Sequence, residues 1–220
     1  MNLIVKRYKG GSILYKHIIW DFDGTLFNSY PLYTEALKNS LELQGMKDSY
    51  ENILTLLMVS ESHAMDYYVT NYHLDRQLLK TKYDEYRKEA KIDIIKPFPN
   101  VIEICKDIYL SNKKNYLYTN KGESSTDVLK HYNIFEYFCD FITREKGFKR
   151  KPDPEALLYI ADKHTIIKKQ AIMIGDRDID ILSAKNAGIK SCFIDPTGLQ
   201  NCEYADYNIQ SIKQLKDIIF

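Results

Sequence analysis

Five short apolar runs punctuate the chain: His17 to Phe22, Asn115 to Thr119, Phe138 to Thr143, Ala171 to Gly175 and Ser191 to Ile194. Each is rich in Ile, Phe or Tyr and ends in polar or glycine-containing sequence, the pattern of a buried strand. The later runs are separated by stretches of helical period. Asn100 to Ser111 places Val101, Ile104, Cys105 and Ile108 on one face, and Asn100 is positioned to cap it. Ser125 to Tyr132, Pro154 to Lys163 and Ile179 to Ala187 follow, the last closed by Gly188 at a natural C′ position. Strand alternating with helix predicts an α/β fold, a parallel sheet covered on both faces.

One interval breaks this rhythm. From Pro31 to Lys96 no strand pattern appears, and the spacing predicts helices over Tyr33 to Leu43, Tyr50 to Val59, Ser62 to Tyr72 and Arg76 to Lys91, with Gly45 stopping the first. The prolines of Lys96-Pro97-Phe98-Pro99 then deny helix and return the chain to its alternating pattern. The expected organisation is an α/β core of residues 1–28 and 97–220 with an inserted helical cap of residues 29–96.

Composition changes this picture little. The 220 residues are 45% hydrophobic and 28% charged, with 31 Lys and Arg against 30 Asp and Glu for a formal net charge of +1. That balance suits a soluble core and argues against a nucleic-acid or membrane-surface partner. No apolar run reaches the length of a membrane span. Lys6, Arg7 and Lys9 are not followed by a signal-type apolar stretch, because Ile18, Ile19 and Trp20 run straight into Asp21, so a cytoplasmic protein is expected. The four cysteines, Cys105, Cys139, Cys192 and Cys202, lack metal-knuckle or redox spacing and read as reduced thiols. The five histidines show no metal-ligand spacing either; His63, in the insert, is the one to watch.

Chemistry concentrates at two strand ends. In Ile18-Ile19-Trp20-Asp21-Phe22-Asp23-Gly24-Thr25-Leu26 an apolar run ends in two carboxylates two residues apart, which can converge on one side while Gly24 lets the chain turn away. Two close anions repel unless a cation lies between them or one is protonated, and both solutions suit catalysis. A hard dication such as Mg²⁺ takes such oxygens and keeps positions for phosphate. An Asp pair capping the following turn is the alternative. In Ile172-Met173-Ile174-Gly175-Asp176-Arg177-Asp178-Ile179-Asp180 another strand runs into three carboxylates, with Asp176 and Asp180 able to face one way if a helix begins at once. An acidic helix N-terminus stabilised by the helix dipole would look the same. Open α/β sheets bind ligands at the strand C-termini, so both acid groups would share a rim if their strands are adjacent.

Asp21-Phe22-Asp23-Gly24-Thr25-Leu26, Tyr118-Thr119-Asn120, Lys151-Pro152-Asp153-Pro154-Glu155 and Gly175-Asp176 with Asp180, in this order, resemble the four motifs of the haloacid dehalogenase-like hydrolases. The helical insert resembles the C1 cap of their phosphoglycolate phosphatase-like subfamily. The resemblance implies a Rossmann-like core of strand order 5-4-1-2-3 and a Mg²⁺-dependent phosphatase acting on a small phosphorylated metabolite, as a monomer or homodimer. Asp21 would be the nucleophile that forms an aspartyl-phosphate, and Asp23 the acid and then the base. Mg²⁺ would be held by Asp21, the Asp23 backbone carbonyl, Asp176 and Asp180. Thr119 and Lys151 would stabilise the transferring phosphoryl group, with Gly24, Thr25 and Asn120 contributing to substrate binding. Lys149 is a rival for Lys151, but Lys151 stands directly before Pro152.

The chain departs from the pattern at Phe27-Asn28-Ser29, where many relatives carry Asp, and at Met58-Val59-Ser60-Glu61-Ser62, where relatives usually have a glycine-bearing specificity loop. No relative's substrate follows from the sequence. A sugar phosphomutase of the same fold and a non-catalytic phosphate-binding regulatory module are the competing readings.

Overall fold

The computed structural model describes residues 15–220; the basic N-terminal stretch weighed as a signal lies outside them. The described residues open with β1 (His17–Trp20), continue through β2 (Phe27–Asn28) and the helices α1 (Tyr30–Glu42), α2 (Tyr50–Val59), α3 (Glu61–Tyr72) and α4 (Arg76–Glu89), and return through β3 (Lys96–Pro97). Helix and strand then alternate: α5 (Val101–Leu110), β4 (Lys114–Tyr118), α6 (Ser124–His131), β5 (Phe138–Ile142), α7 (Glu155–Lys163), β6 (Ala171–Gly175), α8 (Asp178–Ala187) and β7 (Lys190–Ile194). The chain ends with β8 (Tyr207–Ile209) and α9 (Lys216–Ile219).

The main sheet runs β5-β4-β1-β6-β7-β8, and its ladders are all parallel. Counting only the five predicted strands, this is the expected order 5-4-1-2-3 read from the other edge, with β8 added beyond the fifth. The sequence pattern missed β8, α9 and the antiparallel pair β2–β3, all too short to show a period of their own. The pair closes the base of the helical insert, with Phe27 opposite Pro97 and Asn28 opposite Lys96.

Alternation along the strands builds two cores. Ile18 and Trp20 point to one face, where they join Val101, Ile104 and Ile108 of α5, Val128 and Leu129 of α6, and Leu215 and Ile219 from the C-terminus. Ile19, Tyr116 and Met173 point to the other, against Leu157 and Ile160 of α7 and Ala184 and Ala187 of α8. Polar groups inside are satisfied where they occur: Trp20 Nε1 donates to Asn115 Oδ1 at 2.9 Å, and Asn115 Nδ2 donates to the Cys105 carbonyl at 3.0 Å. The helical insert has its own apolar cluster, including Leu37, Leu41, Ile53, Tyr68, Leu79 and Tyr83. All four cysteines are free. Among the described residues no helix is long and apolar enough to cross a membrane.

Some helix starts are capped by a side chain and others, α5 among them, are not. Ser49, Ser60 and Asp75 accept backbone N–H groups from Asn52, His63 and Leu78. Asn100 stands at the predicted cap of α5, but its φ of 68° places it in the left-handed region and its side chain makes no capping hydrogen bond. It serves there by tolerating the turn after Pro99 rather than by accepting a bond.

Candidate active site

Register delivers the acids to one rim. Trp20 pairs with Leu117 of β4 and Ile174 of β6, so the residues immediately beyond these strands emerge together. Asp21 follows β1 and donates its N–H to the Ile174 carbonyl at 2.9 Å; Thr119 follows β4 and bonds the Ile142 carbonyl at 2.9 Å; Asp176 follows β6. The chain departs from β1 through Gly24 at φ 82°, where a Cβ would stand 2.0 Å from Asp176 Oδ2. A glycine is therefore needed twice over at this position, for the turn and for the approach of the carboxylate.

Lys151 occupies the centre. Its Nζ donates to Asp21 Oδ1 at 2.5 Å and to Asp180 Oδ1 at 2.7 Å, all three side chains being sealed from solvent, and it lies 4.5 Å from the centre of the Tyr118 ring. Asn120 Oδ1 accepts the Lys151 backbone N–H at 3.4 Å, tying the lysine's loop to the end of β4. Lys149, the sequence rival, is exposed and faces Asp153 at 3.7 Å. Asp180 also accepts the Arg177 backbone N–H at 3.1 Å. Asp176 accepts Thr25 Oγ1 at 3.2 Å and the Tyr30 hydroxyl at 3.3 Å.

One carboxylate oxygen from each of Asp21, Asp176 and Asp180 lies within 4.8 Å of the others. Asp178 is exposed and takes no part. The convergence of Asp176 and Asp180 does not come from helical i, i+4 spacing, because α8 begins only at Asp178. It comes from Gly175, where a Cβ would stand 2.3 Å from the Asp180 Cβ.

The electrostatics record a shortage of positive charge. Burial raises the Asp21 carboxyl above its ordinary range against the pull of Lys151, and Asp180 adds to the rise. Burial and the charges of Asp21 and Asp180 push Asp176 up further. Lys151 is held above its usual value because Asp180 and Asp21 outweigh the burial that opposes them. Asp21 Oδ2 is buried with no hydrogen-bond partner. Three crowded carboxylates, one of them with an unpaired buried oxygen, are a donor set that fits a hard dication.

Asp23 stands apart from that group. Its Oδ1 accepts Ser29 Oγ at 2.5 Å, the Tyr33 hydroxyl at 2.9 Å and Lys121 Nζ at 3.2 Å. Burial alone would raise this carboxyl, but the Lys121 charge and the two hydroxyls overcome it and hold it below the ordinary range. Burial in turn draws the Lys121 ammonium below its usual value, with Arg87 contributing. The Asp23 side chain is thus not among the clustered carboxylates expected around a metal. Thr119 is buried, and its Oγ1 accepts the Lys121 backbone N–H at 3.0 Å, which leaves its hydroxyl proton for another acceptor.

Tyr30, Tyr33 and Lys121 escaped the sequence reading, and Ser29 entered it only as part of the departure at Phe27-Asn28-Ser29. Lys121 adjoins Thr119-Asn120 and was findable by extending that stretch by one residue. Tyr30 and Tyr33 are i, i+3 on α1 and share a face, but nothing in the sequence says that this face meets the rim of the sheet. His63 is exposed on α3, outside the site. Met58 and Val59 end α2 with exposed side chains, and Ser60 caps α3.

Comparison with known proteins agrees with this geometry. Residues 18–194 match the family model described as haloacid dehalogenase-like hydrolase. Phosphoglycolate phosphatase of Vibrio vulnificus is 28% identical over 222 residues, covering 93% of this chain and 96% of its own. Pyrophosphatase PpaX of Halalkalibacterium halodurans is 27% identical over 216 residues, covering 92% and 95%. The crystal structure of a hydrolase from Streptococcus pneumoniae TIGR4 superposes with a TM-score of 0.65 at 27% identity, covering 93% of this chain and 98% of that one.

Proposed function

The chain belongs to the haloacid dehalogenase-like hydrolase family and is a phosphatase, and from that premise we propose that it hydrolyses a small-molecule phosphate monoester with Mg²⁺ through an aspartyl-phosphate on Asp21. The observation that carries the reading is the state of Asp21: one oxygen fixed by Lys151, the other buried and unpaired, in a carboxylate that clusters with Asp176 and Asp180.

Asp21, Asp176 and Asp180, with the Asp23 backbone carbonyl, would hold the Mg²⁺. The ion supplies positive charge that lets an anionic nucleophile approach an anionic phosphate. An Asp21 carboxylate oxygen attacks phosphorus, the bond from phosphorus to the leaving oxygen breaks, and Asp23 gives that oxygen a proton. Water then attacks the phosphorus of the acyl phosphate as Asp23 takes its proton, which releases phosphate and restores Asp21. Lys151 neutralises charge on Asp21 and the phosphoryl oxygens, and Thr119 donates to one of them. Gly24, Thr25 and Asn120 shape the same cradle.

Asp23 must be protonated for the first step, whereas Ser29, Tyr33 and Lys121 here hold it as a carboxylate. Ser29 and Tyr33 belong to the entry of the helical insert. Residues 29–96 therefore act as a cap whose movement exchanges these donors for substrate, and whose closure excludes water. Phosphate release from a panel of phosphorylated metabolites is the test. Turnover that stops with EDTA and returns with Mg²⁺ is expected, with Ca²⁺ a poor substitute because it favours more ligands and looser geometry. Equal turnover in EDTA would contradict the reading.

A further inference from the structure

One cation at the rim has no part in the chemistry assigned above. Arg177 stands between Asp176 and α8, and two backbone bonds fix it there. Its N–H donates to Asp180 Oδ2 at 3.1 Å, and its carbonyl accepts the Asp180 N–H at 3.0 Å. Its Nε is buried without a hydrogen-bond partner, and among the described residues its guanidinium makes no direct ion pair. The charges that act on it are nonetheless those of the acid cluster, Asp180, Asp21 and Asp176, with Tyr30 behind them. Burial raises the carboxyls of Asp21 and Asp176, and Arg177 is among the charges that pull them back.

The two cations of this cluster treat the acids differently. Lys151 bonds directly to one oxygen of Asp21 and one of Asp180. Arg177 offsets charge at longer range, and its side chain occupies no carboxylate oxygen. When all three acids are ionised, Lys151 alone leaves two negative charges uncompensated, and Arg177 reduces that to one. A dication entering the cluster reverses the balance, and the excess positive charge repels the cations already there. A guanidinium keeps its proton, so Arg177 cannot relieve that repulsion by becoming neutral.

We propose that Arg177 sets the affinity of the site for Mg²⁺: it steadies the three acids while the ion is absent and, by repulsion, keeps the ion from binding too tightly. Arg177 is thus a positioning residue that acts through the acids and the metal rather than on the reacting atoms. The proposal rests on the assignment of Asp21, Asp176 and Asp180 to Mg²⁺ and goes beyond it by naming what tunes that set.

The test is calorimetric titration of the metal-free protein with MgCl₂, at about pH 9 so that proton release from the acids contributes little. Arg177→Met and Arg177→Gln should each bind Mg²⁺ about 10-fold more tightly than wild type. Arg177→Lys, which keeps the charge, should stay within about 3-fold of wild type. Gln retains a donor for the polar surroundings, so it decides the matter if the Met variant does not fold. Urea unfolding gives a second readout. Each neutral variant should be less stable than wild type in EDTA, and the difference should shrink once Mg²⁺ saturates the site. A side chain that merely packs would leave the same difference with and without the ion, and that result overturns the proposal. Unchanged or weaker Mg²⁺ binding in the neutral variants also overturns it, as does equal tightening in Arg177→Lys. Wild type that takes up no Mg²⁺ would instead refute the metal assignment itself, and the proposal with it.

Discussion

At the rim of the α/β core one group of ionised side chains is sealed: Asp21, Lys151 and Asp180 meet at 2.5 and 2.7 Å with essentially no solvent contact, whereas outlying core pairs such as Lys130–Asp127 at 3.2 Å are exposed. In the helical insert they lie at the surface, as in the Lys80–Asp84 pair at 2.5 Å and the Lys82–Glu85 pair at 2.7 Å, with side chains near half-exposed. Burying charge is costly unless every ion is paired, whereas exposed pairs contribute about 0–1 kcal/mol each. The core accepts that cost at the C-terminal rim of the sheet, where the acids are useful, and again at Lys113, whose buried Nζ donates to the Tyr15 and Ile219 carbonyls at 2.8 and 2.6 Å. The insert avoids it and is held by its apolar cluster instead. Where the two regions meet, at Asp23 with Tyr33, Lys121 and Arg87 and at Asp176 with Tyr30, the insert reaches the charges of the core rim.

The largest expected effect breaks the core's arrangement. Lys151→Met strands two buried carboxylates and should cost about 3–5 kcal/mol in urea unfolding, along with nearly all turnover. Lys80→Met in the insert should cost no more than about 1 kcal/mol. Equal losses for the two lysines would erase the contrast.

A metal should sharpen it. Asp21 and Asp176 have carboxyls raised above the ordinary range in the folded protein, so between the unfolded and folded values the native state holds more protons. Stability of the metal-free protein therefore falls as pH rises through that window. Mg²⁺ competes with those protons, so the rise in Tm on adding Mg²⁺ should be larger at about pH 8 than at about pH 5. A Tm gain independent of pH would place the ion elsewhere.

The smallest effect probes the insert alone. The Tyr83 hydroxyl is buried without a partner, so Tyr83→Phe should be neutral or stabilise by up to about 1 kcal/mol. A clear loss of stability would mean that the hydroxyl is bonded after all.

The same division governs what could be read in the sequence. Apolar runs ending in acids told where β1 and β6 stop, because burial and charge change abruptly at Asp21 and Asp176. The helices of the insert were readable too, with Tyr50–Val59 matching to the residue, since a 3.6-residue period needs no knowledge of partners. Contacts between regions were not readable. Tyr30 touching Asp176, or Tyr33 touching Asp23, depends on how α1 leans over the sheet, and that is set by the β2–β3 pair, whose four residues carry no periodic signal. The Asp176–Asp180 convergence was anticipated for a helical reason and arises from a glycine turn.

The central claim is that Asp21 becomes phosphorylated, and trapping the intermediate tests it directly. Rapid acid quench during turnover of a reactive phosphate ester with Mg²⁺, followed by mass spectrometry, should show one phosphoryl group on the peptide that contains Asp21. The adduct should be absent from Asp21→Asn, whose turnover should fall by at least about 10⁴-fold. Phosphoryl transfer to another residue, or undiminished turnover by Asp21→Asn, would contradict the account.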